Sequence, residues 1–172
     1  TIPGLLFLAA LVVAAPAYPS VRHSERSDQV VDSRGVRAVE IDNPRGDVEV
    51  APSADGRIHV TAIKTCRGRD LSEAKRFAAA IGVTAGVQGD RYMIRATYPK
   101  RIDIRVDFWE LICGRADSDG FGQSHDLRLL VQVPHDMTLR LASVSGDLAA
   151  RGLTGRQALQ TTSGDCVVDA AG

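Results

Sequence analysis

Hydrophobic and polar residues alternate with a period of two from Val36 onward. Val39 and Ile41 alternate with Glu40 and Asp42, Val48 and Val50 with Asp47 and Glu49, and Ile58, Val60 and Ala62 with Arg57, His59 and Thr61. Each run predicts a short half-buried strand. Asn43-Pro44-Arg45-Gly46 reads as a type I turn between the first two, with proline preset for the second turn position, and Asp55-Gly56 as a turn before the third. The period changes once. Asp70 is placed to cap a helix over about 70–82, Glu73 completes a capping box, and Leu71, Ala74, Phe77, Ala78 and Ile81 share one face before Gly82 stops it. Strand signals return over 83–88, turn at Gly89-Asp90, and continue through Tyr92, Ile94, Ala96 and Tyr98 to Pro99. Ile102, Ile104, Val106 and Phe108 alternate with Asp103, Arg105 and Asp107 as a further strand. Residues 113–126 are rich in Gly, Asp and Ser and predict a loop, and a last clear strand over 127–133 stops at Pro134.

After Pro134 the chain repeats itself. Ser145-Gly146-Asp147-Leu148 returns 18 residues later as Ser163-Gly164-Asp165-Cys166, and on that offset Leu141 falls on Leu159 and Leu148 on Cys166. A period near this length suggests stacked coils, each too small to bury its own apolar face. Glycine supplies a positive φ at a corner, and the adjacent serine and aspartate can satisfy corner amides. Gly46-Asp47-Val48 is an earlier partial copy. Gly46, Asp47, Ser145, Gly146, Asp147, Ser163, Gly164 and Asp165 are therefore expected to be structural corners.

The first 17 residues form an uncharged apolar run ending in Ala15-Pro16-Ala17, the composition of a signal peptide with residues 5–13 as its hydrophobic region and cleavage expected after Ala17. The run is shorter than the roughly 20 residues a spanning helix needs, which disfavours an uncleaved anchor. The opening at Thr1, with neither initiator methionine nor basic leader, leads us to expect a natural N-terminus further upstream. Residues 18–35 are polar and without periodicity, and are expected to be a linker to one domain over 36–172. Export permits disulfides, and a Cys66–Cys113 bridge or free thiols at both positions are the two readings, with Cys166 an inward-facing core residue.

Charge narrows the function. The 21 basic and 21 acidic residues cancel, and aromatics make up 5% of the chain. A nucleic-acid partner bound through a broad basic face or a base-stacking platform is thereby disfavoured, while 44% hydrophobic residues spread along the chain exclude wholesale disorder.

The order Asn43-Pro44-Arg45-Gly46-Asp47-Val48-Glu49-Val50, the Ser72-Glu73-Ala74 helix start, the Val133-Pro134 strand end and the paired Ser-Gly-Asp corners resembles a bacterial "putative adhesin" family of unknown function that includes YvlB-like and LiaG-like envelope proteins. The resemblance covers residues 36–172. It implies a mainly β fold with one short helix leading into a right-handed parallel β-solenoid at the C-terminus. It further implies an exported location at the periplasm, cell surface or medium, a protein or glycan partner at the cell envelope, and no enzymatic residues. Two departures stand out: residues 99–126 read as an insertion, and the chain stops just after a corner, where further coils are expected.

Candidate chemistry is sparse. No CxxC, zinc-spaced Cys/His pair, HExxH or GxSxG occurs, so neither metal nor cofactor is expected. Arg45-Gly46-Asp47 spells an integrin-type tripeptide, but Gly-Asp recurs at corners where no arginine precedes it. Asp117-Ser118-Asp119-Gly120-Phe121-Gly122 begins like a calcium loop and fails at Phe121 and Arg128, leaving Asp117, Asp119 and Asp126 as an adventitious site at most. Ser124-His125-Asp126 holds triad residue types in adjacent positions that cannot converge on one atom. Asp147 and Asp165, stacked on consecutive coils, are the one feature favouring a carbohydrate-active lyase or hydrolase. Trp109, beside Phe108, is the candidate binding residue, with packing under the 113–126 loop as its alternative. His23, His59 and His135 are expected at the surface. A part in envelope-stress regulation follows from the resemblance alone.

Overall fold

Alternating side chains divide each strand between a shared interior and solvent, and two sheets close on that interior. The computed structural model describes residues 20–99 and 125–170. In chain order the elements are β1 (Val21–Val31), β2 (Ala38–Arg45), β3 (Val48–Pro52), β4 (Ile58–Gly68), α1 (Leu71–Ala80), β5 (Gly82–Gln88), β6 (Arg91–Thr97), β7 (His125–Val133), β8 (Thr138–Ser145), β9 (Leu148–Leu153), β10 (Gln157–Gln160) and β11 (Cys166–Ala170). The fold is mainly β, with one short helix and two mixed sheets. One sheet has the order β1-β4-β7-β3-β9-β11, the other β10-β8-β2-β6-β5.

Three strand pairs, β2–β3, β8–β9 and β10–β11, each begin in the five-stranded sheet and cross to the six-stranded one at a glycine. Their first strands pair in parallel, with Ile41 opposite Leu141 and Leu141 opposite Leu159. So do their second strands, with Val48 opposite Leu148 and Leu148 opposite Cys166. The coil at residues 38–52 thus lies in one stack with coils about a hundred residues later. Val39, Ile41, Val48, Val50, Leu139, Leu141, Leu148 and Ala150 fill the space between the sheets. Antiparallel pairs β4–β7, β1–β4 and β5–β6 extend the sheets on the far side.

Helix α1 covers the inner face of β4 and β1 with Ala74, Phe77 and Ala78. The Asp70 carboxylate accepts the Glu73 N–H at 2.8 Å, and Glu73 in turn accepts the Arg69 N–H at 2.7 Å. A cap of this kind is worth about 1 kcal/mol. Lys64 donates to the Ala78 carbonyl at 3.3 Å, satisfying an acceptor in the last turn.

Several expectations are corrected. Residues 18–35 are not simply a linker, because β1 pairs with β4 along eleven residues. It carries no alternation because it lies at a sheet margin with nearly every side chain in solvent, held by its ladder and by contacts such as Thr61 Oγ1 to Asp28 at 2.5 Å. Asn43, Pro44 and Arg45 belong to β2 rather than a turn; the bend falls at Gly46, since the Asn43 side chain is buried and donates to the Gly46 carbonyl at 3.0 Å. Gly82 does not end the helix. Ile81 does so in extended conformation, burying its side chain, and Gly82 begins β5. Leu71, the first residue of α1, is exposed rather than part of the buried face. His125 and Asp126 open β7 instead of closing a loop. Cys166 is exposed, because β11 is the outermost of the described strands. Residues 1–17 and the strand expected over 102–108 lie outside the described residues.

Close backbone approach makes a direct test. At Gly146 (φ 143°) an added Cβ would lie 2.3 Å from the Gly46 carbonyl oxygen, whereas at Gly56 (φ 69°) it would meet open space. Gly146→Ala is expected to cost about 3 kcal/mol or more and Gly56→Ala about 1 kcal/mol in urea denaturation. Equal costs would contradict the packing described.

Candidate functional site

The corners are the most regular polar feature of the molecule. Gly46, Gly146 and Gly164 all have positive φ (97°, 143° and 128°) and stack with their carbonyls under one another. Gly46 N–H donates to the Ser145 carbonyl at 2.8 Å, and Gly146 N–H to the Ser163 carbonyl at 3.0 Å. Val48 and Leu148 N–H groups donate to the Asp147 and Asp165 carbonyls at 2.9 and 2.8 Å. The side chains form a second ladder. The Asp47 carboxylate accepts the Asp147 N–H at 3.1 Å, and the Asp147 carboxylate accepts the Asp165 N–H at 2.9 Å. Ser145 and Ser163 contribute main-chain carbonyls and bridge each other in parallel. Within Arg45-Gly46-Asp47, the aspartate is therefore tied to a neighbouring coil.

A polar position three residues before each corner glycine went unread in the sequence: Asn43, Ser143 and Thr161. Asn43 Nδ2 donates to the carbonyls of Gly46 and Leu127, at 3.0 and 3.3 Å, and Thr161 Oγ1 donates to those of Ser163 and Gly146, at 3.1 and 3.4 Å. The shared spacing from glycine was the available signal, hidden because the three residues differ in type.

Beside the corners lies a cleft of about 440 Å³ lined by Pro44, Arg45, Ile81, Tyr98, Pro99, His125 and Val144. Tyr98 Oη donates to the Arg45 carbonyl and reaches Asn43 Oδ1 at 3.1 Å, and burial holds its phenol well above the usual tyrosine range. His125 packs on Phe77 with ring centroids 4.4 Å apart. Burial and, less, the Arg45 charge lower its pKa, against a weaker opposing pull from Glu73. Burial pushes the Cys66 thiol up. Asp126 follows His125 and its carboxyl is tucked against Gly46; lost hydration and then the nearby Asp47 charge raise its pKa. These shifts favour neutral forms: a protonated tyrosine and thiol and an uncharged imidazole. Among the described residues no three His, Cys, Asp or Glu side chains converge as a metal site.

The other candidates are dispersed. His23 pairs with Glu25 at 3.0 Å and His59 with Asp55 at 2.8 Å, while the exposed His135 offers its carbonyl to Thr154. Phe108, Trp109, Cys113, Asp117, Asp119 and Ser124 lie outside the described residues, so the aromatic binding pair and the partner proposed for Cys66 are not placed. Among the described residues no helix is long and apolar enough to cross a membrane.

No family profile and no curated protein matches the chain in sequence. Among solved structures, the chain is similar to one described as a "putative cell adhesion protein" from Clostridium sporogenes, with 8% identity and a TM-score of 0.44 over 85% of this chain and 59% of that one. It is also similar to a "putative adhesin" from Bacteroides fragilis, with 12% identity and a TM-score of 0.38 over 86% of this chain and 58% of that one. The chain thus spans less than two thirds of the length of either.

The His125 environment sets a pH dependence. Its pKa is lowered in the folded chain, so from about pH 6.5 downward the unfolded chain takes up a proton that the folded chain resists, and folding weakens until the lowered pKa is reached. His125→Phe is expected to flatten the fall in urea midpoint between about pH 7 and 5. Parallel curves for variant and wild type would contradict this assignment.

Proposed function

We propose that this chain is an exported, non-enzymatic scaffold of the adhesin type, whose parallel coils form a right-handed β-solenoid that presents its faces to a protein or glycan partner at the cell envelope. The observation that carries the reading is the use of the corner acids. A polysaccharide-cleaving enzyme needs carboxylates free to face substrate, yet Asp47 and Asp147 each hold the main-chain N–H of the next coil. The parallel register of three glycine-cornered strand pairs supports a solenoid. The apolar run over residues 1–17 supports export. The likenesses to solved structures add no weight, and the YvlB-like and LiaG-like assignment rests on the sequence motifs alone.

One observation favours an enzyme. Asp126, its pKa raised by lost hydration and then by the nearby Asp47 charge, has a second carboxyl group close by, and neighbouring acids set in different environments are a pairing that acid catalysis uses. The engagement of Asp47 by the Asp147 N–H weighs against it.

The two readings separate in one assay. Incubated with purified cell-wall and capsular polysaccharides, the protein is expected to be retained on a wall component or surface protein and to generate no new reducing ends. Release of reducing ends that is lost in Asp126→Asn would overturn the scaffold reading and establish a carbohydrate-active enzyme.

A further inference from the structure

Helix α1 lies over a row of groups that share one face of three adjacent strands. His23 on β1 stands opposite Cys66 on β4, and Cys66 stands opposite His125 on β7. Alternation puts Lys64, Cys66 and Gly68 on the same face of β4. Lys64 reaches the Ala78 carbonyl at 3.3 Å, and a Cβ at Gly68 would lie 2.6 Å from the Ala74 nitrogen. The helix thus touches both same-face neighbours of Cys66, whose thiol is fully buried. Its hold is slight. Of the side chains that α1 buries, Ala74, Phe77 and Ala78, only Phe77 is large, and Phe77 rests on the His125 ring with centroids 4.4 Å apart.

That ring is 7% exposed, and its surroundings disfavour a positive charge. Among the described residues, the titratable and charged groups around it are Cys66 and Lys64 on β4, His23 and Glu25 on β1, Glu73 on α1, Arg45 on β2, Tyr98 after β6 and the adjoining Asp126 on β7. Glu25 pairs with His23, and Asp126 turns toward Gly46. Glu73 favours the imidazolium, but it is shared with Arg69 at 3.1 Å and is outweighed by lost hydration and the Arg45 charge. Lifting α1 would take Phe77 off the ring and admit water. Because the helix buries a single large side chain while the main core lies between the sheets, such an opening can be local.

We propose that α1 is an acid-sensitive cover: protonation of His125 lifts the helix from β4 and β1 and bares the Cys66 thiol, while the stacked coils stay closed. The device needs no second site. The group that takes the proton is the one on which the helix's main anchor rests.

The test is the rate at which 4,4′-dithiodipyridine labels Cys66 in a chain where Cys113→Ser and Cys166→Ser leave it the one thiol. Each rate is divided by that of the urea-unfolded chain at the same pH to give a protection. From pH 7.5 to pH 5 the protection is expected to fall about tenfold. At pH 5 the rate is expected to stay nearly flat below about 1 M urea, since a local opening exposes little surface. His125→Gln is expected to hold its protection within about threefold across the same range, and His23→Gln to respond like wild type. Phe77→Ala is expected to label faster than wild type already at pH 7.5. An undiminished fall in His125→Gln, or a fall abolished by His23→Gln, would overturn the proposal. So would a rate at pH 5 that climbs with urea as steeply as global unfolding, because the helix would then not open separately. Labelling of Phe77→Ala no faster than wild type would show that α1 does not guard the thiol, and would overturn it as well.

Discussion

Contact between glycine corners of successive coils is the constraint on which the rest of the structure depends. A carbonyl lies where a Cβ would be, so three chain segments reach one line only because each places glycine there with positive φ. Once the corners are stacked, register in both sheets follows. A slip of one residue would bring a side chain against the carbonyl and turn Val48, Leu148 and Ile41 toward solvent. The aspartates complete the lock by satisfying amides that a sharp bend removes from the regular ladder.

The corner line also organises what surrounds it. Buried Asn43 ties the Gly46 bend to β7 through the Leu127 carbonyl and accepts from Tyr98, so the first coil is anchored to the region where α1, β4 and β7 meet. Phe77 and His125 fill that junction, and burial keeps the imidazole, phenol and Cys66 thiol nearby uncharged. One end of the stack is therefore closed by antiparallel strands and a helix.

Much of this was legible in the sequence where a local rule governed the outcome. Asp70 and Glu73 announced the start of α1, and alternation located the strands around Val39, Val48, Val60, Ile94 and Leu129. Reading failed where a partner distant in sequence decided. Nothing local to Val21–Val31 signals a strand, because its ladder depends on β4 and its side chains remain in water. Asn43-Pro44-Arg45 carries turn residues, but a buried hydrogen bond to Gly46 and parallel pairing with β8 keep it extended. Cys166 matched buried Leu148 in the repeat, yet burial requires a neighbour on both sides of a strand. The corner residues stood out as a repeat; that their acids reach across coils became visible only in three dimensions.

The central claim is that corner acids serve the main chain of the neighbouring coil. Hydrogen exchange at the Asp147 amide, followed by NMR in the wild-type chain and in Asp47→Ala, tests it most directly. The account predicts an amide protected nearly as well as those of the buried strands, losing that protection in the variant while amides of β5 and β6 keep theirs. An Asp147 amide that exchanges as fast as an exposed loop in wild type, or is indifferent to the loss of Asp47, would contradict it.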